Sequence, residues 1–352
     1  MTEVDFQRIA PYLAEKLCAE DLRITRVWKN LEGWSMETYS LGLSFHKNGR
    51  PVEQELIVRK APELGLMDQN YDVSIEYRVL TALGRTQVAV PQTYWLEQEP
   101  EILGRPFYVM EKVEGWIPFP PPFSHDPQFR LIPNDAERAS LAADFVQNLA
   151  WIHTADWRSL GLEFLGVPGP GTGAARSQVD FWEDRIARSG FRDKAAVAYA
   201  ANWLKANLVE TDRICLVHGD YRSGNYIARN GRIAAVLDWE LVHLGDPLLD
   251  IAYCLNVWRS APPESWISHL LPEEEFLERY QDASGIRIDR QKLDFFHILH
   301  KFKAVGIAST AAGAWRRQNL DLRVGVFAMM QYVSHFDLLS ELYKRRITAG
   351  GI

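Results

Sequence analysis

The chain of 352 residues is 47% hydrophobic and 24% charged, an ordinary globular balance with room for two domains or lobes. A net charge of −7 argues against nucleic acid as a partner. No apolar run nears the roughly 20 residues of a membrane span, and the acidic, polar start MTEVDFQRIA is no secretory signal. The three cysteines, Cys18, Cys215 and Cys254, form no CxxC pair and no zinc spacing, and read as buried thiols in a reducing cytoplasm.

Residues 4–18 have the pattern of an amphipathic helix. ITRVWKN (24–30) and ETYSLGLSFH (37–46) are β-rich and flank the short LEGWS turn. KNGR (47–50) is a hairpin turn, because Asn-Gly readily supplies positive φ, and ELIVRK (55–60) is the returning strand. VSIEYRVLTALG (73–84) is a helix with Ile75, Val79 and Leu83 repeating at four and Gly84 at its end. VAVPQTYWLEQ and RPFYVMEKVEG read as two further strands. After Gly115 the Pro-rich WIPFPPPF gives way to helices. One spans 136–154, with Leu141, Phe145, Leu149 and Ile152 on one face. Others are expected over 179–188, 193–208, 273–283, 290–311 and 323–345. The division falls near 112–116, separating a β-rich lobe, 1–112, from a mainly helical lobe, 113–352.

The densest polar cluster is HGDYRSGNYIARNGRIAAVLDWE (218–240). YIAR and RIAAVLD are short strands around Asn230-Gly231, a strong hairpin signal. A two-residue turn pairs Arg229 with Arg232, which sets Asn225 opposite Val236, two residues before Asp238. Cross-strand partners share a face and strands alternate with period two, so Asn225 and Asp238 point to the same side at the same end. Both offer hard oxygens suited to Mg²⁺, and Asp220 lies in the loop just before them. Each is also a common turn residue, and His218 has a plain reading as a hydrogen-bonded loop histidine. A metallophosphoesterase would need further histidines, but HTADW (153–157) and HILHK (297–301) read as helix-face residues. In phosphoryl transfer an Asp orients or deprotonates the acceptor hydroxyl, while an Asn five residues on and an Asp on the next strand hold metal. HGDYRSGN has the Asp-to-Asn spacing of the kinase pattern H-R-D-L-x-x-x-N.

With these residues the chain resembles the aminoglycoside phosphotransferase family, the small-molecule branch of the kinase-like fold. HGDYRSGN and VLDWELVHLGDPLLDIAY are the segments most similar, and they are also similar to the kinase-like domains attached to some acyl-CoA dehydrogenases. The resemblance implies an α+β, two-lobed protein-kinase-like fold using ATP and Mg²⁺. By that likeness Asp220 is the catalytic base and Asn225 and Asp238 are metal ligands. Arg222 stabilises transferring phosphate, for which its planar fork is suited, and Asp250 buttresses the catalytic loop. Trp239 is read as packing.

The same likeness organises the first lobe. LEGWSMETY (31–39) is the phosphate-covering turn, with Gly33 and Ser35 as candidate contacts. Arg59 or Lys60 on ELIVRK is the phosphate-binding cation; alternation sends the two to opposite faces, and the family pattern matches Arg59 better. Glu76 is the acidic anchor, and backbone groups near Glu111 and Val113 form an adenine-binding hinge. VPGPGTGAA (167–175) lacks a preceding strand and a Lys-Ser/Thr ending and reads as an inter-helix loop. The expected activity is transfer of a phosphoryl group from ATP to a small-molecule hydroxyl. The alternatives are a catalytically inactive nucleotide-binding protein of the same fold and a true aminoglycoside phosphotransferase. Residues 1–115 hold 13 Lys and Arg against 18 Asp and Glu, and the remainder 26 against 28. The acceptor-binding lobe is therefore near neutral, and with nine of the twelve Trp it suits an apolar or anionic hydroxylated acceptor better than a polycation. Neither nucleic acid nor membrane is expected as a partner, and the oligomeric state is left open.

Overall fold

The computed structural model describes residues 6–30, 36–62, 71–119, 128–191, 194–256, 265–317 and 322–350. The chain divides into two units, Met1–Gly115 with Ala234–Leu237, and Trp116–Ile233 with Asp238–Ile352. The first unit is built on a five-stranded antiparallel sheet. A 3₁₀ turn (Phe6–Ile9) leads into α1 (Ala10–Leu17). β1 (Glu20–Asn30), β2 (Glu37–Lys47) and β3 (Arg50–Lys60) follow, then α2 (Val73–Leu83), β4 (Thr93–Glu97) and β5 (Phe107–Glu111). The spatial order is β1-β2-β3-β5-β4. The Asn48-Gly49 hairpin forms as expected: both residues have positive φ, and Lys47 pairs with Arg50.

Register divides the sheet into two faces. Tyr39, Leu41, Leu43 and Phe45 alternate along β2 and pack with Leu56, Val58, Phe107 and Val109 against Phe6, Ile9 and Leu13 of the N-terminal helical segment. Each such side chain fully buried contributes roughly 1.5–3 kcal/mol. α2 supplies the acidic residue of the other face. Asp72 caps it, its side chain accepting from the Ser74 N–H at 2.9 Å.

Several expectations need correction here. The helix foreseen over 4–18 is α-helical only from Ala10, because Pro11 is tolerated in a first turn but not within a helix. Ile75 is 39% exposed while Val79 and Leu83 are fully buried. The buried stripe of α2 instead runs through Val73, Glu76, Val79, Leu80 and Leu83, since a strict repeat of four drifts off a 3.6-residue face. Cys18 is exposed at the C-cap of α1, whereas Cys215 and Cys254 are buried. β4 and β5 occupy five residues each of their longer expected segments.

The second unit is mainly helical. β6 (Ile117–Pro118) pairs in parallel with β7 (Phe129–Arg130). α3 (Asp135–Thr154), α4 (Gly173–Ser189) and α5 (Lys194–Ala206) precede the short strands β8 (Cys215–Val217), β9 (Tyr226–Arg229), β10 (Arg232–Val236) and β11 (His243–Gly245). α6 (Leu248–Asn256), α7 (Glu273–Ser284), α8 (Arg290–Arg316) and α9 (Leu322–Gly350) complete the chain. Leu141, Phe145, Leu149 and Ile152 are all fully buried on α3. Its start is fixed by Asn134, whose side chain accepts from the Glu137 N–H at 2.8 Å. The expected helices all form, and α4 begins at Gly173, inside the stretch read as a loop. Asn230 and Gly231 both take positive φ at the turn between β9 and β10; the end of β10 belongs to the first unit, within which the Val236 N–H donates to the Ala89 carbonyl at 2.8 Å. No helix among the described residues is long and apolar enough to cross a membrane.

Candidate active site

β8 runs directly into His218-Gly219-Asp220. It pairs antiparallel with β11, setting Val217 opposite His243, so the loop carrying Asp220 and the loop carrying Asp238 are stitched together at their bases. Gly219 has φ +87°, and a Cβ there would lie 2.6 Å from the Leu241 carbonyl oxygen. Only glycine fits such a close approach at positive φ. The loop is clamped by Asp250, in the first turn of α6 and fully buried. Its carboxylate accepts from the His218 N–H at 2.7 Å and the Gly219 N–H at 2.8 Å. His153 Nε2 lies 3.1 Å from the same carboxylate, and His153 Nδ1 lies 2.7 Å from the Tyr280 hydroxyl. Burial alone would raise the Asp250 pKa, but His153, His218 and the Gly219 N–H outweigh it and bring it to about 2. Asp250 is thus a structural buttress. His153 lies on a face of α3, as its HTADW context suggested, but on the buried face, where it orients Asp250.

Asp220 is held on every side. Arg222 Nε donates to Oδ1 at 3.0 Å, the Tyr253 hydroxyl donates to the same oxygen, and Asn225 Nδ2 donates to Oδ2 at 2.6 Å. Asn225 Nδ2 also reaches the Asp220 carbonyl at 2.9 Å. Both neighbours are pure acceptors, so the amide nitrogen must face them, leaving Asn225 Oδ1 as the oxygen turned elsewhere. The Asp220 N–H donates to His218 Nδ1 at 3.1 Å, and the buried His218 ring lies 4.5 Å from that of Trp239. Arg222 Nη1 donates to the Ser223 carbonyl at 2.9 Å. Burial opposes the Arg222 charge, but Asp220, Tyr253 and Asp238 hold it and raise its pKa. Asp238 is left-handed at φ 66°, a conformation Asp tolerates. It precedes the Trp239–Leu241 turn without capping it through its side chain.

Two groups of this site were not foreseen. Tyr253 lies on α6, one turn past Asp250. Lys303 lies on α8, is 3% exposed and donates to the Gly219 carbonyl. Its ammonium stands 4.6 Å from the Tyr253 ring centroid. Burial lowers the Lys303 pKa, and Asp220, Asp250 and Glu240 oppose the fall. HILHK also turns inward: His297 Nδ1 lies 2.7 Å from the Asn256 amide, and the buried His300 packs edge-on to Tyr253, with burial and Lys303 lowering its pKa to about 3.

In the first unit, register separates the two candidate cations. Arg59 pairs with Thr38 and Tyr108 across the sheet, and Lys60 with Glu37 and Phe107. Arg59 Nη2 lies 3.0 and 3.1 Å from the two oxygens of buried Glu76, and Nη1 donates to Thr38 Oγ1 at 3.0 Å. Lys60 sits on the opposite face and donates to Glu37 at 2.5 Å. Burial beside Glu76 raises the Tyr108 phenol well above its ordinary pKa. Glu111 ends β5, and its N–H is taken by the Gln92 carbonyl at 2.8 Å; Val113 follows, half-buried. Gly33 and Ser35 lie outside the described residues.

Among the described residues no group of three or more His, Cys, Asp or Glu could hold a metal by itself. The expected pair, the Asn225 amide oxygen and the Asp238 carboxylate, fits a different design. Mg²⁺ is commonly held by one or two carboxylates and takes its remaining ligands from water and substrate phosphates. With its Nδ2 spent on Asp220, Asn225 keeps Oδ1 as its oxygen for such a donor set.

Comparison with known proteins matches residues 30–333 to the phosphotransferase enzyme family (APH). Rat acyl-CoA dehydrogenase family member 11 is 33% identical over 271 residues, 72% of this chain and 33% of that protein. The human protein of the same name is 31% identical over 270 residues, 72% and 33%. The chain therefore spans about a third of the length of these curated relatives. Among solved structures, a Ralstonia eutropha JMP134 protein provisionally assigned as an aminoglycoside phosphotransferase superposes with a TM-score of 0.70 at 22% identity, covering 97% of this chain and 99% of that one. Macrolide 2'-phosphotransferase type I gives 0.61 at 18%, covering 90% and 97%. A thermostable APH(4)-Ia variant in a ternary complex with AMP-PNP and hygromycin B gives 0.57 at 17%, covering 95% and 98%. These likenesses identify the α+β architecture, a β-rich N-terminal unit and a mainly helical C-terminal one, as the kinase-like fold.

Proposed function

Because this chain belongs to the phosphotransferase enzyme family, we propose that it transfers the γ-phosphoryl group of ATP to a hydroxyl of a small molecule in a Mg²⁺-dependent reaction. The observation that carries the reading is the way Asp220 is held. Two donors fill Oδ1 and one amide N–H occupies part of Oδ2, so the acceptor hydroxyl binds at the remaining lone pair of Oδ2. Asp220 orients that hydroxyl and accepts its proton as the new P–O bond forms and the bond to the leaving β-phosphate oxygen breaks. Positioning and charge stabilisation supply most of the acceleration in such reactions. Asn225 Oδ1 and Asp238 would hold Mg²⁺, which when bound neutralises phosphate charge. Arg222 couples Asp220 to the charge that develops on the transferring group. On the nucleotide side Arg59 is the phosphate-binding cation, fixed by Glu76, and Lys60 is assigned to structure with Glu37. The Glu111 carbonyl and the Val113 N–H are the adenine-binding groups, and Gly33 and Ser35 cover the phosphates.

The acceptor is an apolar or anionic hydroxylated molecule and not a polycationic aminoglycoside. The near-neutral charge of the second unit and its Trp content support that reading; around Asp220 itself the partly buried Arg222 and the buried Lys303 stand beside Asp250 and Glu240. The test is ADP release with Mg-ATP and a panel of hydroxylated carboxylic acids, neutral alcohols, kanamycin and hygromycin, with mass spectrometry of the products. Phosphorylated acid or alcohol with no phosphorylated aminoglycoside is expected. Efficient phosphorylation of kanamycin, or drug resistance conferred on a sensitive bacterium, would overturn the acceptor assignment.

A further inference from the structure

The last helix is apolar on two sides. One side of α9 is buried in its own unit through Val324, Leu338 and Leu342, with the buried polar residues Gln331 and His335 among them. Gln331 Nε2 donates to Ser309 Oγ of α8 at 3.4 Å, and His335 packs edge-on to Phe191. The other side carries Val326 (52% exposed), Met329 (77%), Met330 (47%), Tyr332 (63%), Val333 (65%), Phe336 (68%) and Tyr343 (65%). At 3.6 residues per turn these seven fall on one arc centred near Val333. A surface helix ordinarily has one apolar stripe, and one that is hydrophobic all round is normally buried all round.

Among the described side chains of the helix, the charged ones are engaged within the chain. Asp337 pairs with Lys301 at 2.6 Å, and Glu341 with Arg345 at 3.4 Å. The seven side chains leave on the order of 700 Å² of apolar surface open, which exceeds the largest patch of most monomers, roughly 300–600 Å². It matches the roughly 800 Å² per partner that a standard stable interface buries. Its aromatic and Met content is that of interface cores, and the exposed charges on the same arc, Asp337 and Lys344, are already paired within the chain with Lys301 and Glu341.

We propose that this face of α9 forms a homodimer interface, two copies crossing about a two-fold axis near Val333. Isologous packing brings Val333 against Val333 of the partner subunit and Met329 and Met330 against Phe336 of the partner subunit. The assignment does not depend on the catalytic reading, since no residue of the patch belongs to the site around Asp220. Sedimentation velocity tests it: the wild-type chain should run at twice the monomer mass at about 10 µM, and Met329→Glu with Phe336→Glu should weaken the dimer by at least ~100-fold. The far-ultraviolet circular dichroism of that variant should stay unchanged, because both residues point away from the core, and its melting temperature should lose the dependence on protein concentration that the wild-type dimer shows. A second test uses Val333→Cys in a Cys18→Ser background, which should form a covalent dimer under mild oxidation because a residue on the axis meets its own copy. A wild-type chain that stays monomeric to about 100 µM, including one that instead binds lipid vesicles, would overturn the proposal. So would a dimer that survives the double substitution, or the absence of a Val333→Cys cross-link.

Discussion

Replacing Asp250 by Asn isolates the clamp beneath the catalytic loop. The wild-type carboxylate serves two backbone N–H groups and His153. An amide has one acceptor oxygen, so one of the N–H groups would face an NH₂. A buried donor left without an acceptor costs about 1–3 kcal/mol, and loss of the charge from a buried pair brings the total to about 3–5 kcal/mol. The ionic part is visible in pH. The Asp250 pKa falls from 3.8 to about 2 on folding, which corresponds to about 2 kcal/mol of stability present above pH ~4 and lost as pH falls through ~2. Urea unfolding followed by far-ultraviolet circular dichroism, on wild type and Asp250→Asn, should show the full gap at pH 6. The gap should narrow by about 1 kcal/mol at pH 3. ADP release should fall with it, because Asp220 is the residue after the clamped pair. A variant within about 1 kcal/mol of wild type at pH 6, or a gap that widens on acidification, would refute the reasoning.

Gly219→Ala should unfold more easily by about 2 kcal/mol or more and lose turnover, since a Cβ at φ +87° meets the Leu241 carbonyl at 2.6 Å; urea midpoints and ADP release measure both effects. Asn225→Ala and Asp238→Ala should each weaken Mg²⁺-dependent nucleotide binding, read by calorimetric titration of Mg-ATP with and without chelator; equal affinity and metal dependence in both variants would remove them as ligands. Arg59→Lys should weaken Mg-ATP binding about tenfold, because an ammonium cannot reproduce a guanidinium spanning Glu76 and Thr38; the same titration measures it, and Lys60→Met should leave that affinity unchanged.

The parts of this site that were legible are those carried by short-range spacing. Asp220, Asn225 and Asp238 sit within one hairpin and its flanks, so their nearness along the chain was legible; Asn225 and Asp238 lie just outside β9 and β10, and Asp238 takes a left-handed φ of 66°, so strand alternation does not extend to them. The roles of Asp250, Arg59 and Glu76 were legible only through the family likeness; the local signals beside it were an acid after Asp246-Pro247 at a helix start, alternation setting Arg59 and Lys60 on opposite faces, and Glu76 on the next helix. What stayed hidden comes from far along the chain. Tyr253 and Lys303 reach Asp220 and Gly219 over 33 and 84 residues, and His153 reaches Asp250 over 97. No period within one helix encodes which partner its face will meet. A lysine in the apolar run FFHILHKFKAVGIAS was the one available hint, because a buried ammonium requires acceptors around it. The α1 start and the exposed Ile75 depart from expectation for local reasons: Pro11 fits only a first helical turn, and a repeat of four drifts off the 3.6-residue face.

The central claim is that Asp220 orients and deprotonates the acceptor hydroxyl. Purified wild type and Asp220→Asn should be compared in Mg-ATP binding by calorimetry and in ADP release with the best acceptor of the hydroxylated panel. The account predicts near-equal nucleotide affinity and a fall in turnover of roughly 10²-fold or more. Near-normal turnover by Asp220→Asn would contradict it.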